Sequence, residues 1–213
     1  MAKKKISKKK RQQPERKSSL TLIYVGLAVI VIAAFAYYFF SNPAPDISQD
    51  IFQPEPGKVK IAEFLKFDCS HCYDLHKEMP QLLEKYGDKV DIRYIPIVWP
   101  GQSTRSIEAY IIAEQMGKGE EMRDALFQAK FVKGMDIIES FAAIENAASS
   151  IGLGDDFKSK LENGDAGKEA LSNLALMRKY NVQGTPTIII DGYLHVEPTI
   201  ASIDSNISAL LAK

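Results

Sequence analysis

Cysteine is nearly missing from this chain: 213 residues contain only Cys69 and Cys72. No second pair exists to close a tetrahedral four-cysteine zinc site. A purely structural bridge across so short a loop would stabilise little. Histidine is scarce as well, with His71, His76 and His195. His71 or His76 beside the cysteines leaves open a metal-binding reading of the pair. Net charge is zero, which excludes a strongly basic or acidic chain as a whole, and no internal repeat is visible.

That zero conceals a segregation. Residues 1–19 carry nine Lys/Arg against one acid, Glu15, a net of +8, and residues 41–213 carry eighteen against twenty-six, a net of −8. Between them Leu20 to Phe40 is twenty-one residues without a charge. At about 1.5 Å per residue, a helix of that length matches the hydrocarbon core of a bilayer. Tyr37, Tyr38, Phe39 and Phe40 crowd its far end, where an aromatic belt would lie. Ala34-Phe35-Ala36 offers a cleavage-like triplet, but the run exceeds the roughly 7–15 apolar residues of a signal peptide. Residues 20–40 therefore read as an uncleaved transmembrane anchor. The Lys/Arg-rich tail, 1–19, then keeps the N-terminus cytoplasmic and serves topology rather than nucleic-acid binding. Residues 41–57 are a linker and lead-in, and residues 58–213 are delivered outside the membrane as one domain. There a cysteine pair can cycle through a disulfide.

Val59 and Ile61 alternate with polar residues towards Leu65, which predicts a strand. Ser70 to Tyr86 is predicted as a helix containing Pro80, expected to kink it, and ended by Gly87. Lys89 to Trp99 is a second strand. Strand character then vanishes from about 103 to 180, where helical stripes cover 107–115, 120–131, 137–151, 155–161 and 167–180. Asp136 with Glu139 resembles a capping box for the third. Thr185 to Ile190 returns to strand, Asp191-Gly192 signals a hairpin towards Val196, and Thr199 to Leu211 is a closing helix. The order implies α/β, a mixed sheet covered on both faces.

Cys69 stands where strand passes into helix. A sulfur at a helix N-terminus meets unsatisfied N–H groups and the positive end of the dipole, both of which favour thiolate. Cys72 follows one turn later on the same side. The spacing suits exchange: Cys69 forms a mixed disulfide, and Cys72 resolves it. A protonated His71 between them adds attraction to the thiolate and makes the disulfide more oxidising.

Ala62-Glu63-Phe64-Leu65-Lys66-Phe67-Asp68-Cys69-Ser70-His71-Cys72-Tyr73, with Gly184-Thr185-Pro186-Thr187, resembles the DsbA-like branch of the thioredoxin superfamily over roughly residues 58–213. About 110 residues separate Cys72 from Pro186, room for the helical insertion of that branch. The resemblance implies a thioredoxin fold with an inserted helical subdomain. It assigns Cys69 as nucleophile, Cys72 as resolving cysteine, and His71 as the residue setting oxidising strength. Pro186 matches a cis-proline that leaves the Thr185 backbone free to pair with substrate, and Glu63 matches a buried acid handling the proton of Cys72. Ser70 departs from the proline of the C-P-H-C form, and Thr185 also occurs before the proline of isomerases.

The implied activity is thiol–disulfide oxidation of exported cysteine-containing proteins. The disulfide is its only cofactor, and a membrane quinone-linked partner of the DsbB or vitamin K epoxide reductase type restores it. The implied location is a bacterial inner membrane, with the catalytic domain periplasmic. The alternatives are a reductase or isomerase for a narrow client such as a cytochrome or copper protein, and a non-enzymatic metal-binding module. Against an isomerase, the linker is too short for a dimerisation domain.

Overall fold

The β-branched run after the lead-in forms β1, Val59–Leu65, in which only Lys60 escapes full burial. It is the strand on which three cores converge. In this computed structural model the backbone is described for residues 18–41, 52–53 and 55–212. The chain divides into two compact units, Met1–Ala44 and Pro45–Lys213.

The first unit holds α1, Ser18–Ser41, a 24-residue helix. Its side chains are described at residues 23–33 and Tyr37, and the large apolar ones there are exposed, Ile32 at 68%. Among the described residues no helix is long and apolar enough to cross a membrane. The described side chains of α1 cover only part of the 20–40 run. The Lys/Arg-rich residues 1–17, and residues 42–51 of the expected linker, lie outside the described residues.

In the second unit β1 leads into α2, Ser70–Tyr86, which buries Cys72, Leu75, Met79 and Leu82 at helical spacing. Pro80 lies on its exposed side, and the helix runs through it unbroken. Gly87, at φ 56°, ends it. β2, Val90–Pro96, then pairs parallel to β1, with Val59 opposite Val90. Five helices follow: α3 (Arg105–Gln115), α4 (Gly119–Phe131), α5 (Phe141–Ser150), α6 (Asp155–Asn163) and α7 (Gly167–Lys179). β3, Thr187–Ile190, returns antiparallel to β1, β4, Leu194–Val196, pairs with β3, and α8, Ile200–Leu211, closes the domain. The sheet order is β2-β1-β3-β4.

Strand alternation sends Ile61, Glu63 and Leu65 to one face and Ala62 and Phe64 to the other. The first face is covered by α2 and α8, where Val59 and Ile61 pack with Met79, Ile203 and Ile207. On the second, Phe64 packs with Ile95, Ile189 and Leu176 of α7. The inserted helices build the third core around Phe67, Ile112, Leu126 and Phe127, and Cys72 joins it.

Three expectations are corrected. Asp136 caps a turn rather than a helix: its Oδ1 accepts from the Ile138 and Glu139 N–H groups at 3.1 Å. The α5 cap is Ser140, whose Oγ accepts from Ala143 N at 3.3 Å. An Ser140→Ala variant is expected to lose about 1 kcal/mol in chemical denaturation, the usual worth of such a cap, whereas Asp136→Ala leaves helix content by circular dichroism unchanged. The Pro-rich lead-in is not all linker, because Phe52 is buried and meets Tyr180 edge-on at 5.5 Å. It also lies against Gly192, where an added Cβ would come within 3.2 Å of its ring and where φ is 81°. Finally, the strands are shorter than their apolar runs: β2 stops at Pro96 and β3 starts at Thr187.

Candidate active site

Cys69 is the N-cap of α2, with extended backbone (φ −98°, ψ 119°) and no side-chain capping bond. The first turn of α2 therefore presents its N–H groups beside a sulfur rather than an oxygen cap. The backbone is held on both sides: Cys69 N–H donates to Lys66 O at 3.2 Å, and Tyr73 N–H donates to Cys69 O at 3.1 Å. Cys69 is partly exposed, Cys72 is fully buried, and both are free thiols. Only the first sulfur is therefore open to an external thiol or disulfide.

The loop before β3 comes to this point from 116 residues away. Cys69 Sγ donates to Thr185 O at 3.2 Å, and the Thr185–Pro186 peptide is cis. Thr187 Oγ1 donates to Gly184 O at 2.8 Å and closes the loop on itself. The structure thus brings together Cys69, Cys72, Thr185 and Pro186. Ser70 and His71 lie exposed on the first turn of α2.

Burial pushes the Cys72 thiol well above its usual range; the neighbouring Cys69 sulfur adds to this, and a backbone contact from Lys66 offsets part of it. A thiol so placed resists ionising and is a poor leaving group unless a proton is supplied. A second buried ionisable group is Glu63. It sits in β1 under α2, 1% exposed, two residues from Leu65, which shares a core with Cys72. Its Oε2 has no hydrogen-bond partner among the described residues. Burial raises its carboxyl to about 7, with Arg123 pulling the other way.

Sequence reasoning missed the charged residues that flank the pair. Lys66 is buried, 3.2 Å from Asp68 Oδ1 and 5.5 Å from the Trp99 ring centroid. The signal was a lysine at the end of an apolar strand with an acid two residues on. Tyr73 stacks on Phe131 at 4.9 Å and 8°, which joins α2 to the helical insertion beside the thiols. Among the described residues no three His, Cys, Asp or Glu side chains gather in a way that could hold a metal ion.

A family model described as thioredoxin matches residues 55–209. The thiol:disulfide interchange protein DsbA of Burkholderia cepacia is 22% identical over 189 residues, covering 84% of this chain and 86% of that protein. DsbA of Pseudomonas syringae pv. tomato is 25% identical over 137 residues, 64% of each chain. Among solved structures, Xylella fastidiosa DsbA superposes with a TM-score of 0.65 at 22% identity, covering 76% of this chain and 91% of that one. Pseudomonas aeruginosa DsbA does so at 0.61 and 18%, covering 78% and 92%. With the matched model spanning both cysteines and the cis-proline loop, the chain belongs to the thioredoxin family and is DsbA-like.

Proposed function

We propose that the protein is a membrane-anchored thiol–disulfide oxidoreductase that oxidises cysteine pairs of exported proteins. The observation that carries this is an accessible thiol at a helix N-terminus, 3.2 Å from the Thr185 carbonyl, backed by a buried thiol one turn behind. In the oxidised protein a client thiolate attacks Cys69 Sγ, the Cys69–Cys72 bond breaks, and Cys72 departs as a thiolate that takes a proton. The second client thiolate then attacks the client sulfur in the mixed disulfide. Its disulfide forms and Cys69 leaves as a thiolate. The client loses two electrons and the cysteine pair gains them, so no cofactor beyond the pair is required.

The anchor belongs to the same proposal. It is supported by the uncharged Leu20–Phe40 run, the nine preceding Lys/Arg, and the exposure of Ile23, Val25, Ile30 and Ile32 on α1. The catalytic domain would then face the periplasm, where a quinone-linked membrane partner of the DsbB or vitamin K epoxide reductase type restores the disulfide.

The test is the reduction potential of the full-length protein in detergent, with oxidation of a reduced two-cysteine peptide. A potential well above about −270 mV, the thioredoxin value, with peptide oxidation at one equivalent per protein, supports an oxidase. A potential at the thioredoxin value would assign a reductase instead.

A further inference from the structure

Helix α4 turns an apolar face inward through Met122, Leu126 and Ala129, yet also buries Arg123 to 5% exposure. The guanidinium carbon of Arg123 lies 3.5 Å from the Tyr94 ring centroid. Its ion pair is with Glu120 of the same helix at 3.9 Å, a side chain 81% exposed. The Nε has no hydrogen-bond partner among the described residues. Tyr94 is in turn the β2 residue paired with Glu63 in the β1–β2 ladder. Residues paired across a parallel ladder leave the sheet on the same face. A buried cation and a buried acid, each with an unpaired polar atom, therefore meet across one tyrosine ring. A buried guanidinium is strongly disfavoured unless it is well paired, and the ion-pair partner it has, Glu120, lies mostly in solvent.

We infer that Arg123 is a positioning residue: held on Tyr94, it supplies the counter-charge that keeps Glu63 able to give up and recover the proton exchanged with Cys72. The inference rests on the redox reading above. When Cys72 is expelled it takes the Glu63 proton; when Cys72 attacks Cys69 Sγ and releases the client thiolate, its proton returns to Glu63. Without a nearby cation, the desolvated acid would stay protonated and accept nothing. The other groups around Arg123 are Glu120 and Asp124 on α4, His76 on α2, Tyr110 and Glu114 on α3, and Tyr94 itself. Burial pushes Tyr94 up to about 12, and raises Tyr110 also, so both stay neutral. Burial, then Arg123, holds His76 below its usual value, against the pull of Asp124.

The experiment follows the Glu63 carboxyl stretch by infrared titration of the reduced full-length protein in detergent, with Glu63→Gln identifying the band. In Arg123→Met the midpoint should move up by about one pH unit, with Arg123→Lys restoring most of it. Arg123→Gln, which keeps an N–H donor, is the second neutral variant should the methionine protein not fold. A midpoint unmoved in a folded neutral variant overturns the role of Arg123. Peptide oxidation by the wild type, read separately, reports on the redox function itself, so the two failures are distinguishable.

Discussion

Replacing Cys69 with Ala should reduce peptide oxidation to the uncatalysed rate, whereas Cys72→Ala should leave one half-reaction intact and trap clients as mixed disulfides. The asymmetry follows from burial. Cys69 is the sulfur a client can reach, and Cys72 is shielded completely. With Cys72 gone, an accessible Cys69 still exchanges with a client disulfide, but no second thiol is in place to release the adduct. Non-reducing electrophoresis reads both results: adducts that collapse on reduction for Cys72→Ala, and none for Cys69→Ala. Equal adduct yields from the two variants would sink the assignment of nucleophile and resolver.

The Glu63→Gln variant should be more stable than the wild type at pH 8 and lose that advantage by pH 4. The sign follows from the folded carboxyl titrating at about 7 rather than the ordinary 4.5. A raised acid contributes stability that is fully present below about 4.5 and is lost as pH rises through 7. The shift corresponds to roughly 3 kcal/mol between those limits. Glutamine keeps the shape and carries no charge, so its curve should be flat where the wild type falls. Urea midpoints at pH 4 and pH 8 check this, and parallel curves for the two proteins would contradict it.

The thiol pair and its position were legible because the local pattern is self-sufficient: an apolar strand, two cysteines three residues apart, then an amphipathic helix. The burial of Glu63 was expected from the family resemblance, with the apolar strand around it as support, and the side chain is 1% exposed. The turn at Asp136 was misread because an aspartate accepting two following N–H groups looks alike in a turn and at a helix start. Only the chain's path after Glu139 separates them. Arg123 and Phe52 were out of reach for a different reason. Their burial depends on the rings of Tyr94 and Tyr180, partners distant along the chain. No local periodicity marks an arginine as one that will be buried against a ring on another element.

The separation of 116 positions along the chain from Cys69 to the Thr185 carbonyl that it meets also sets an order of assembly. β1 gains its antiparallel partner β3 only after all five inserted helices have been made. Closing so long a loop costs chain entropy before any contact returns it, so this pairing is late by nature. A chain emerging N-terminus first therefore has its thiols out well before the loop that completes their setting. The surroundings of the thiol pair are therefore complete only when the last strands of its own domain have docked.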